Sequence, residues 1–243
     1  MNSVCVVPLK FVKTVAAIAL RGKWRGMNEA LDEQKVRLAV LIGNQAASAI
    51  YRARLSNHFK QIQIDTVLAL AKALEAHDRN TSGHAERITD LAERTARRLQ
   101  VPFKEVQCIR WAALLHDIGK IGIPTEVLNK PGPLTEAEWQ EVRRHPDLGA
   151  EIVLMASNLS HVAYLVRSHH ERMDGSGYPC GLRGDKIPFG ARILAVVDSY
   201  SAMVDGRSYR KGRTHAEAMS ELHRCAGTGY DPAVVNAFSS LFE

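Results

Sequence analysis

The chain has 243 residues, 46% of them apolar and 24% charged, a composition that excludes a disordered chain and suffices for one sizeable core with a smaller appendage. The net charge of +6 comes from the first 60 residues, which hold 10 Lys and Arg against 3 Asp and Glu. Because the remaining residues are nearly neutral, the sequence indicates no nucleic-acid-binding surface on the main domain, and no DNA partner is expected.

The four cysteines are scattered without a CxxC pair, which argues against a zinc ribbon or a disulfide framework. This pattern favours a reducing compartment such as the cytoplasm. The apolar stretch over residues 14–20 is too short to span a membrane and lacks a signal-peptide cleavage pattern. We therefore expect neither a membrane span nor export.

The first 55 residues predict two short strands and a helix. Val, Ile and Ala favour strands over 4–11 and 14–20, and apolar residues at helical spacing favour a helix over 33–55. The strings VPLK, AAIALRG and NQAASAIYRARL resemble the C-terminal end of a GAF sensory domain, which implies that residues 1–55 are a small α/β remnant of such a domain. The chain would then be a piece of a longer sensor protein or the product of a gene that lost its front half. The alternative is a hairpin and helix packed on the main domain.

A second helical pattern over residues 56–77 continues the first and predicts a helical linker. Residues at helical spacing form one stripe along the face of these two predicted helices. Its first apolar part is Val36, Val40, Gly43, Ala47 and Ile50, and its second is Ile64, Val67 and Leu70. Between them lies a polar gap formed by Arg54, Asn57 and Gln61. An unpaired helix would expose the apolar parts to water, at about 25 cal/mol per Å² of apolar surface. We therefore predict a homodimer through residues 30–75.

From residue 68 onward every pattern is helical, which predicts an all-α bundle over residues 68–243. The start and stop signals predict helices over 82–99, 103–117, 146–155, 160–170, 191–204 and 214–225. Ser82 and Ser160 are predicted caps, and Thr135 with Glu138 has the pattern of a capping box that opens a further helix. His145, just before Pro146, is predicted to end that helix. The stretch 174–190 is rich in Gly and Pro and predicts one extended loop.

The stretch AALLHDIGK carries the first sign of chemistry. Val106, Ile109 and Ala113 recur at helical spacing, so the face towards the core leads into His116 and Asp117. An ionised carboxylate and an imidazole in an apolar interior are costly unless a partner compensates them, and a divalent metal ion is the strongest partner. Taken alone, such a pair is more often a buried His hydrogen-bonded to its neighbour.

The same anomaly recurs on the other predicted helices. Five further polar side chains lie on or next to apolar faces, namely His84, His145, His169, His170 and Asp198. Each alone is more often a core residue with a hydrogen-bond partner than a metal ligand. Together they would need many independent partners, whereas one pair of metal ions satisfies them all, as in bundles that deliver His and carboxylate to a shared core. The sequence therefore predicts a dinuclear metal site.

The strings LLHDIGKIGIP, NKPGPLT and HHERMDGSGYP, followed by RSYR, resemble the HD-GYP subfamily of the HD phosphohydrolases from about residue 68 to residue 242. The resemblance implies an HD-type helical bundle and a phosphodiesterase that opens the cyclic dinucleotide c-di-GMP, giving pGpG or going on to GMP. Two alternatives stay open. One is the same chemistry on another cyclic dinucleotide, such as cyclic GMP-AMP, and the other is a non-catalytic module that binds the nucleotide or a partner.

The resemblance also implies which residues hold two metal ions. The implied ligands of the first ion are His84, His116, Asp117 and Asp198. Those of the second ion are His145, His169 and His170. Asp117 would bridge both ions, and this mixed set without thiolates suits Fe or Mn. A pair of such ions activates water and stabilises the charge that develops at phosphorus. His116, Asp117 and Lys120 form the implied catalytic group.

The implied substrate contacts come from basic residues. Lys120 would neutralise a phosphate oxygen as a point charge, while Arg207 and Arg210 would bind phosphate through their planar guanidinium groups. The alternative for both arginines is a solvated basic loop. Asn80 stands where some members have a carboxylate that holds a third ion, which favours two ions here. Ser201 stands where Asp is common, near the expected substrate phosphates.

The triplet Gly177, Tyr178 and Pro179 lies in the predicted long loop. Gly and Pro set the backbone geometry there, and Tyr178 would either stack on a guanine or pack under the loop. Since this loop is linked to partner proteins in the family, the resemblance allows a protein partner at the same place. Cys180 replaces a common Asp, and we expect a neutral substitution in an exposed loop.

Overall fold

The computed structural model describes residues 2–11, 13–23, 33–77, 83–155, 159–205 and 212–242. The chain divides into two compact units, residues 1–66 and 67–243. Within the described ranges, none of the helices combines the length and the apolar character needed to cross a lipid bilayer.

The first unit begins with a two-stranded antiparallel hairpin. Strand β1 (Asn2–Phe11) pairs with β2 (Lys13–Lys23), and the register is irregular between Leu9 and Lys10. Both strands are present where the sequence predicts them and extend further than 4–11 and 14–20. Helix α1 (Glu33–His77) follows, and its residues include both stretches, 33–55 and 56–77, for which the sequence predicts helix.

Apart from one isolated β-bridge between Ala226 and Tyr230, the regular secondary structure among the described residues of the second unit is helical, which confirms the all-α prediction. Its α-helices are, in chain order, α2 (His84–Arg98), α3 (Phe103–Leu115), α4 (Thr125–Leu128), α5 (Glu136–Val142), α6 (His145–Leu154), α7 (Ser160–Ser168), α8 (Phe189–Asp205), α9 (His215–Arg224) and α10 (Pro232–Ser239). Two short 3₁₀ helices, Ile118–Gly122 and Gly184–Lys186, lie between them.

The core lies where α3 and α8 pack against α2 and α7. Ile88, Ile109, Val166, Leu194 and Phe238 are almost completely buried there. Burying one such side chain contributes about 1.5–3 kcal/mol relative to leaving it exposed, so apolar burial is the main force that assembles these helices. The same packing directs the polar ends of the helices towards one another.

Several predicted boundaries are wrong by a few residues. Helix α3 ends at Leu115, so His116 and Asp117 follow the helix and are not its last residues. The N-cap of α2 is Gly83 with a positive φ of 69°, and Ser82 lies outside the described residues. Ser160 is the first residue of α7 and does not cap it, since Leu159 occupies the N-cap. Helices α4 and α10 have no predicted counterpart.

The capping box at the start of α5 is confirmed. The Thr135 hydroxyl accepts the Glu138 N–H, while the Glu138 carboxylate accepts the Thr135 N–H, so two otherwise unpaired amides are satisfied. Thr214 and Glu217 repeat this arrangement at the start of α9. These two helices begin where local side-chain chemistry dictates.

The 3₁₀ helix Ile118–Gly122 crosses α6 at very short range because two glycines meet there. A Cβ added to Gly119 would lie 1.9 Å from the His145 carbonyl oxygen and 2.5 Å from the Gly149 nitrogen. Only a residue without a side chain permits this approach. The crossing brings the segment after α3 against the first residue of α6.

Candidate metal centre

His116 and Asp117 form the centre of the site in the turn that follows α3. The His116 Nδ1 donates to the Ala113 carbonyl at 2.7 Å, which turns Nε2 towards Asp117 Oδ2 at 3.2 Å and Asp198 Oδ1 at 3.8 Å. Nevertheless, His116 Nε2 is buried and has no hydrogen bond of acceptable geometry. A buried polar atom in this state is costly unless another group, such as a cation, binds it.

His84 joins this group from the start of α2. Its Nε2 lies 3.5 Å from Asp198 Oδ1, and Asp198 projects from the middle of α8. His84, His116 and Asp117 each offer a ligand atom within 4.8 Å of the others. We call these three residues, together with Asp198, the first ligand group.

Three further histidines converge on the other side of Asp117. The Nδ1 atoms of His145 and His169 donate to the carbonyls of Val142 and Val166 at 2.7 and 2.6 Å. Their Nε2 atoms consequently carry lone pairs, and these atoms lie only 3.4 Å apart. Two facing lone pairs repel unless a proton or a cation lies between them.

His170 completes the second set. Its ring centroid is 4.0 Å from that of His169 and 5.0 Å from that of His145, and all three residues offer ligand atoms within 4.8 Å of one another. We call them the second ligand group. The prediction that His145 ends a helix is wrong, because His145 is the first residue of α6 and α5 ends at Val142.

Asp117 connects the two ligand groups. One of its oxygens lies 3.2 Å from His116 Nε2, and the other lies 3.4 Å from His145 Nε2. The Lys120 ammonium group donates to the same carboxylate at 2.7 Å and holds it in place. A single carboxylate within reach of both groups is the arrangement that a bridging ligand requires.

Burial and charge set the protonation states of these groups. Burial lowers the pKa of His170 to about 3, with the charge of His145 adding to the effect, and burial also lowers the pKa of His145 and His169. For His116, burial acts in the same direction, but the carboxylates of Asp117 and Asp198 outweigh it and raise the pKa to about 9. The second ligand group is therefore neutral at pH 7, whereas His116 must release a proton before it binds a cation.

Divalent cations fit this set of donors. Imidazole nitrogens anchored through their Nδ1 atoms, together with carboxylates, supply lone pairs to the same small volume, and a cation would satisfy the buried His116 Nε2. No cysteine is among the residues of either group, so the donors are all nitrogen and oxygen. Such a set is suited to Mn, Fe or Zn in an open site more than to a closed structural zinc.

The loop that carries Tyr178 packs against the second ligand group. The Tyr178 ring lies 4.8 Å from the His170 ring at an angle of 33°, and the Arg143 guanidinium group lies 5.9 Å from the Tyr178 centroid. The ring of Tyr178 thus contacts a candidate ligand, and its stacking on a guanine stays a prediction. Gly177 makes this possible, since a Cβ there would lie 2.4 Å from the Arg172 nitrogen.

Glu171 anchors the same loop and has no predicted role. Its side chain is buried and accepts the backbone N–H groups of Cys180 at 2.7 Å and Leu182 at 2.9 Å. These charge-assisted hydrogen bonds fix the segment that follows Pro179. A Glu directly after two candidate ligands, in the string HHE, is the signal that could have revealed this role.

Of the remaining predicted site residues, some lie outside the described residues and the others lie outside the two ligand groups. Arg207 and Arg210 lie outside the described residues, as does Asn80. Ser201 is buried on α8, one turn after Asp198. Cys180 is exposed, as predicted. Asp205, the last residue of α8, contacts His84, and no pattern in the sequence indicates this contact.

Comparison with known proteins assigns the second unit. Residues 69–234, more than half of the chain, match the HD domain family. The chain belongs to the HD-domain family. The predicted relationship to HD phosphohydrolases is thereby confirmed, and the match begins after the segment for which a GAF-like origin stays a prediction.

Two curated relatives and one solved structure illustrate the similarity. The chain is 41% identical over 183 residues to "Cyclic di-GMP phosphodiesterase response regulator RpfG" of Xanthomonas campestris pv. campestris, covering 74% of this chain and 48% of that protein. It is 33% identical over 212 residues to "3'3'-cGAMP-specific phosphodiesterase 2" of Vibrio cholerae, covering 86% and 41%. The chain thus spans less than half the length of these relatives.

The structural comparison agrees on the fold. A cyclic GMP-AMP specific phosphodiesterase of V. cholerae, V-cGAP3, matches with a TM-score of 0.58 and 19% identity, covering 73% of this chain and 48% of that one. The HD-domain helical fold is therefore shared with a solved phosphodiesterase. At this identity the likeness concerns the fold alone.

Proposed function

We propose that the chain is a metal-dependent phosphodiesterase that hydrolyses c-di-GMP to pGpG, GMP or both. The observation that carries the proposal is Asp117, whose two oxygens lie 3.2 Å from His116 Nε2 and 3.4 Å from His145 Nε2, within reach of both ligand groups. Further support comes from the names of relatives that are 41% and 33% identical to this chain.

Two divalent ions, Fe or Mn, are the proposed cofactors. His84, His116, Asp117 and Asp198 would hold one, and His145, His169 and His170 would hold the other. Bound ions would supply activated water and stabilisation of charge at phosphorus. The chain itself fixes the orientation of His116, His145 and His169 through their Nδ1 hydrogen bonds, and a lysine holds the shared carboxylate.

The proposed substrate contacts are phosphate contacts. Lys120 lies beside Asp117, and its ammonium group would neutralise a phosphate oxygen as a point charge. Arg207 and Arg210 are proposed as further phosphate ligands on the family resemblance. The Tyr178 ring, partly exposed above His170, is proposed to border the space for a base.

A substrate panel tests the proposal. Protein purified without oxygen and reconstituted with Fe²⁺ or Mn²⁺ should bind two equivalents and hydrolyse c-di-GMP with a higher kcat/KM than 3'3'-cGAMP. Preference for 3'3'-cGAMP would establish the alternative substrate, which the Vibrio cholerae relative favours. Two bound ions without turnover of either nucleotide would establish a non-catalytic binding module instead.

A homodimer through residues 30–75 is proposed as the working form. On α1, Tyr51, Leu55, Phe59 and Ile62 recur every three or four residues, and each is exposed, Phe59 to 58%. This apolar face runs beside the polar positions Arg54, Asn57 and Gln61, while Gly43 and Ala47 of the predicted stripe are buried. Apolar residues in such a row are favoured at an interface between copies.

Sedimentation of two single variants checks the dimer. We expect the wild-type chain and Gln61→Glu to sediment as dimers, and Phe59→Glu to sediment as a monomer, because a charge on the apolar face cannot be buried without a partner. A chain that starts near Leu68 should also be monomeric. A wild-type monomer, or a Phe59→Glu dimer of unchanged stability, would exclude this interface.

Two further assignments are proposed from the sequence. The exposed part of the loop that contains Tyr178 is a proposed contact for a protein partner. The cytoplasm is the proposed location, since the thiols of Cys108, Cys180 and Cys225 are free and suit a reducing compartment.

A further inference from the structure

Asp205 ends α8 beside the ring of His84. Its Oδ2 lies 3.2 Å from His84 Nδ1, and the same oxygen forms an ion pair with the Arg87 guanidinium group. Arg87 lies one turn after His84 on α2. The side chain of Asp205 is about three-quarters buried although the residue as a whole is exposed, so the carboxylate is not freely solvated.

The two nitrogens of His84 therefore face two carboxylates from one helix. Nε2 lies 3.5 Å from Asp198 Oδ1, and Nδ1 lies 3.2 Å from Asp205 Oδ2. Asp198 and Asp205 are seven residues apart on α8, which is about two helical turns and places both on the same face. Helix α8 thus contacts both edges of the imidazole.

His84 differs in this respect from the other anchored histidines. His116, His145 and His169 follow a helical turn, and each donates its Nδ1 proton to the carbonyl three residues earlier. His84 is the first residue of its helix, and among the described residues the Asp205 carboxylate contacts its Nδ1. The carboxylate of Asp205 occupies the corresponding position.

We propose that Asp205 is a positioning residue for the first ligand group. Its carboxylate accepts the Nδ1 proton of His84, keeps the lone pair on Nε2, and raises the affinity of that nitrogen for a divalent cation. Arg87 holds the Asp205 carboxylate in place. The inference rests on the metal-binding part of the proposed function and is independent of which nucleotide is cleaved.

Titration with Mn²⁺ alone tests the proposal, with free Mn²⁺ followed by its electron paramagnetic resonance signal. The wild-type chain should bind two ions. In Asp205→Ala, the affinity for one ion should fall about 10- to 100-fold while the other stays within twofold, because removal of an outer hydrogen-bond partner weakens a single ligand group. Asp205→Asn keeps an acceptor oxygen without the charge, so its Mn²⁺ affinity should fall less than that of Asp205→Ala.

Asp90→Asn is the matched control, since it removes a carboxylate from an exposed pair with Arg94 on α2. It should bind Mn²⁺ as the wild type does. The ¹⁵N chemical shifts of His84 in the metal-free protein give a second readout. We expect Nδ1 to be protonated in the wild type and the two tautomers to be mixed in Asp205→Asn. Asp205→Asn is also the variant to use if Asp205→Ala does not fold.

Equal Mn²⁺ affinities in the wild type and both Asp205 variants, or an unchanged His84 tautomer, would overturn the proposal. These measurements contain no nucleotide. A chain that binds Mn²⁺ as expected but hydrolyses nothing would therefore refute the proposed function and leave the role of Asp205 intact.

Discussion

Replacing Asp117 with asparagine is expected to lower the rate of cyclic dinucleotide hydrolysis about a thousandfold or more. Asp117 is the carboxylate within reach of both ligand groups, and its pKa lies well below the usual range because His116 and Lys120 offset the cost of burial. The asparagine amide has no charge and offers one acceptor oxygen in place of two. Losing stabilisation of several kcal/mol in the transition state corresponds to a rate change of this size.

Steady-state hydrolysis and metal content, measured on the same preparations, check this expectation. Asp147→Asn is the control, because Asp147 is partly exposed and pairs only with Arg167 among the contacts that the described residues show. The control should keep the wild-type rate. Hydrolysis by Asp117→Asn at more than a tenth of the wild-type rate would exclude Asp117 as the shared ligand.

Gly119→Ala is expected to destabilise the second unit by about 3 kcal/mol and to remove metal binding at the second ligand group. The new Cβ would lie 1.9 Å from the His145 carbonyl oxygen and 2.5 Å from the Gly149 nitrogen, and both are backbone atoms that cannot rotate away. Overpacking of this kind lowers the free energy of unfolding by about 1–3 kcal/mol. We expect the upper end of that range because the new Cβ meets backbone atoms. Separating these segments would also separate Asp117 from His145.

Gly122→Ala provides the comparison within the same 3₁₀ helix. Its Cβ would meet only Leu148 Cδ1, at 3.0 Å, and that side chain can adjust. We expect the melting temperature to fall by about 5–10 °C in Gly119→Ala and by about 2 °C or less in Gly122→Ala. Similar melting temperatures for the two variants would show that the glycine crossing is not required.

The centre of the site is predictable from the sequence because inward polar residues violate helical periodicity. His84, His116 and Asp198 lie on or beside apolar faces, where a polar group is costly unless a partner compensates it. In the structure all three are close together, since Asp198 Oδ1 lies 3.5 Å from His84 Nε2 and 3.8 Å from His116 Nε2. Periodicity does not give the exact end of each helix, so the predicted helix includes Asp117 although α3 ends at Leu115.

The residues that support the ligands are harder to predict. Asp205 carries an acidic side chain near a helix end, which in most sequences indicates solvent exposure. Its contact with His84 joins residues 121 positions apart and depends on how α2 packs against α8. Short helices escape prediction for a related reason, since α4 has only four residues and too few for a periodic pattern.

After Pro179, the loop that follows the second ligand group is held through its backbone N–H groups. Glu171 accepts the N–H groups of Cys180 and Leu182, and any residue except proline supplies such an N–H. The side chain at position 180 is exposed and takes no part in that contact. Position 180 is therefore free to vary, and the outer surface of this loop can acquire new binding chemistry while Tyr178 stays against His170.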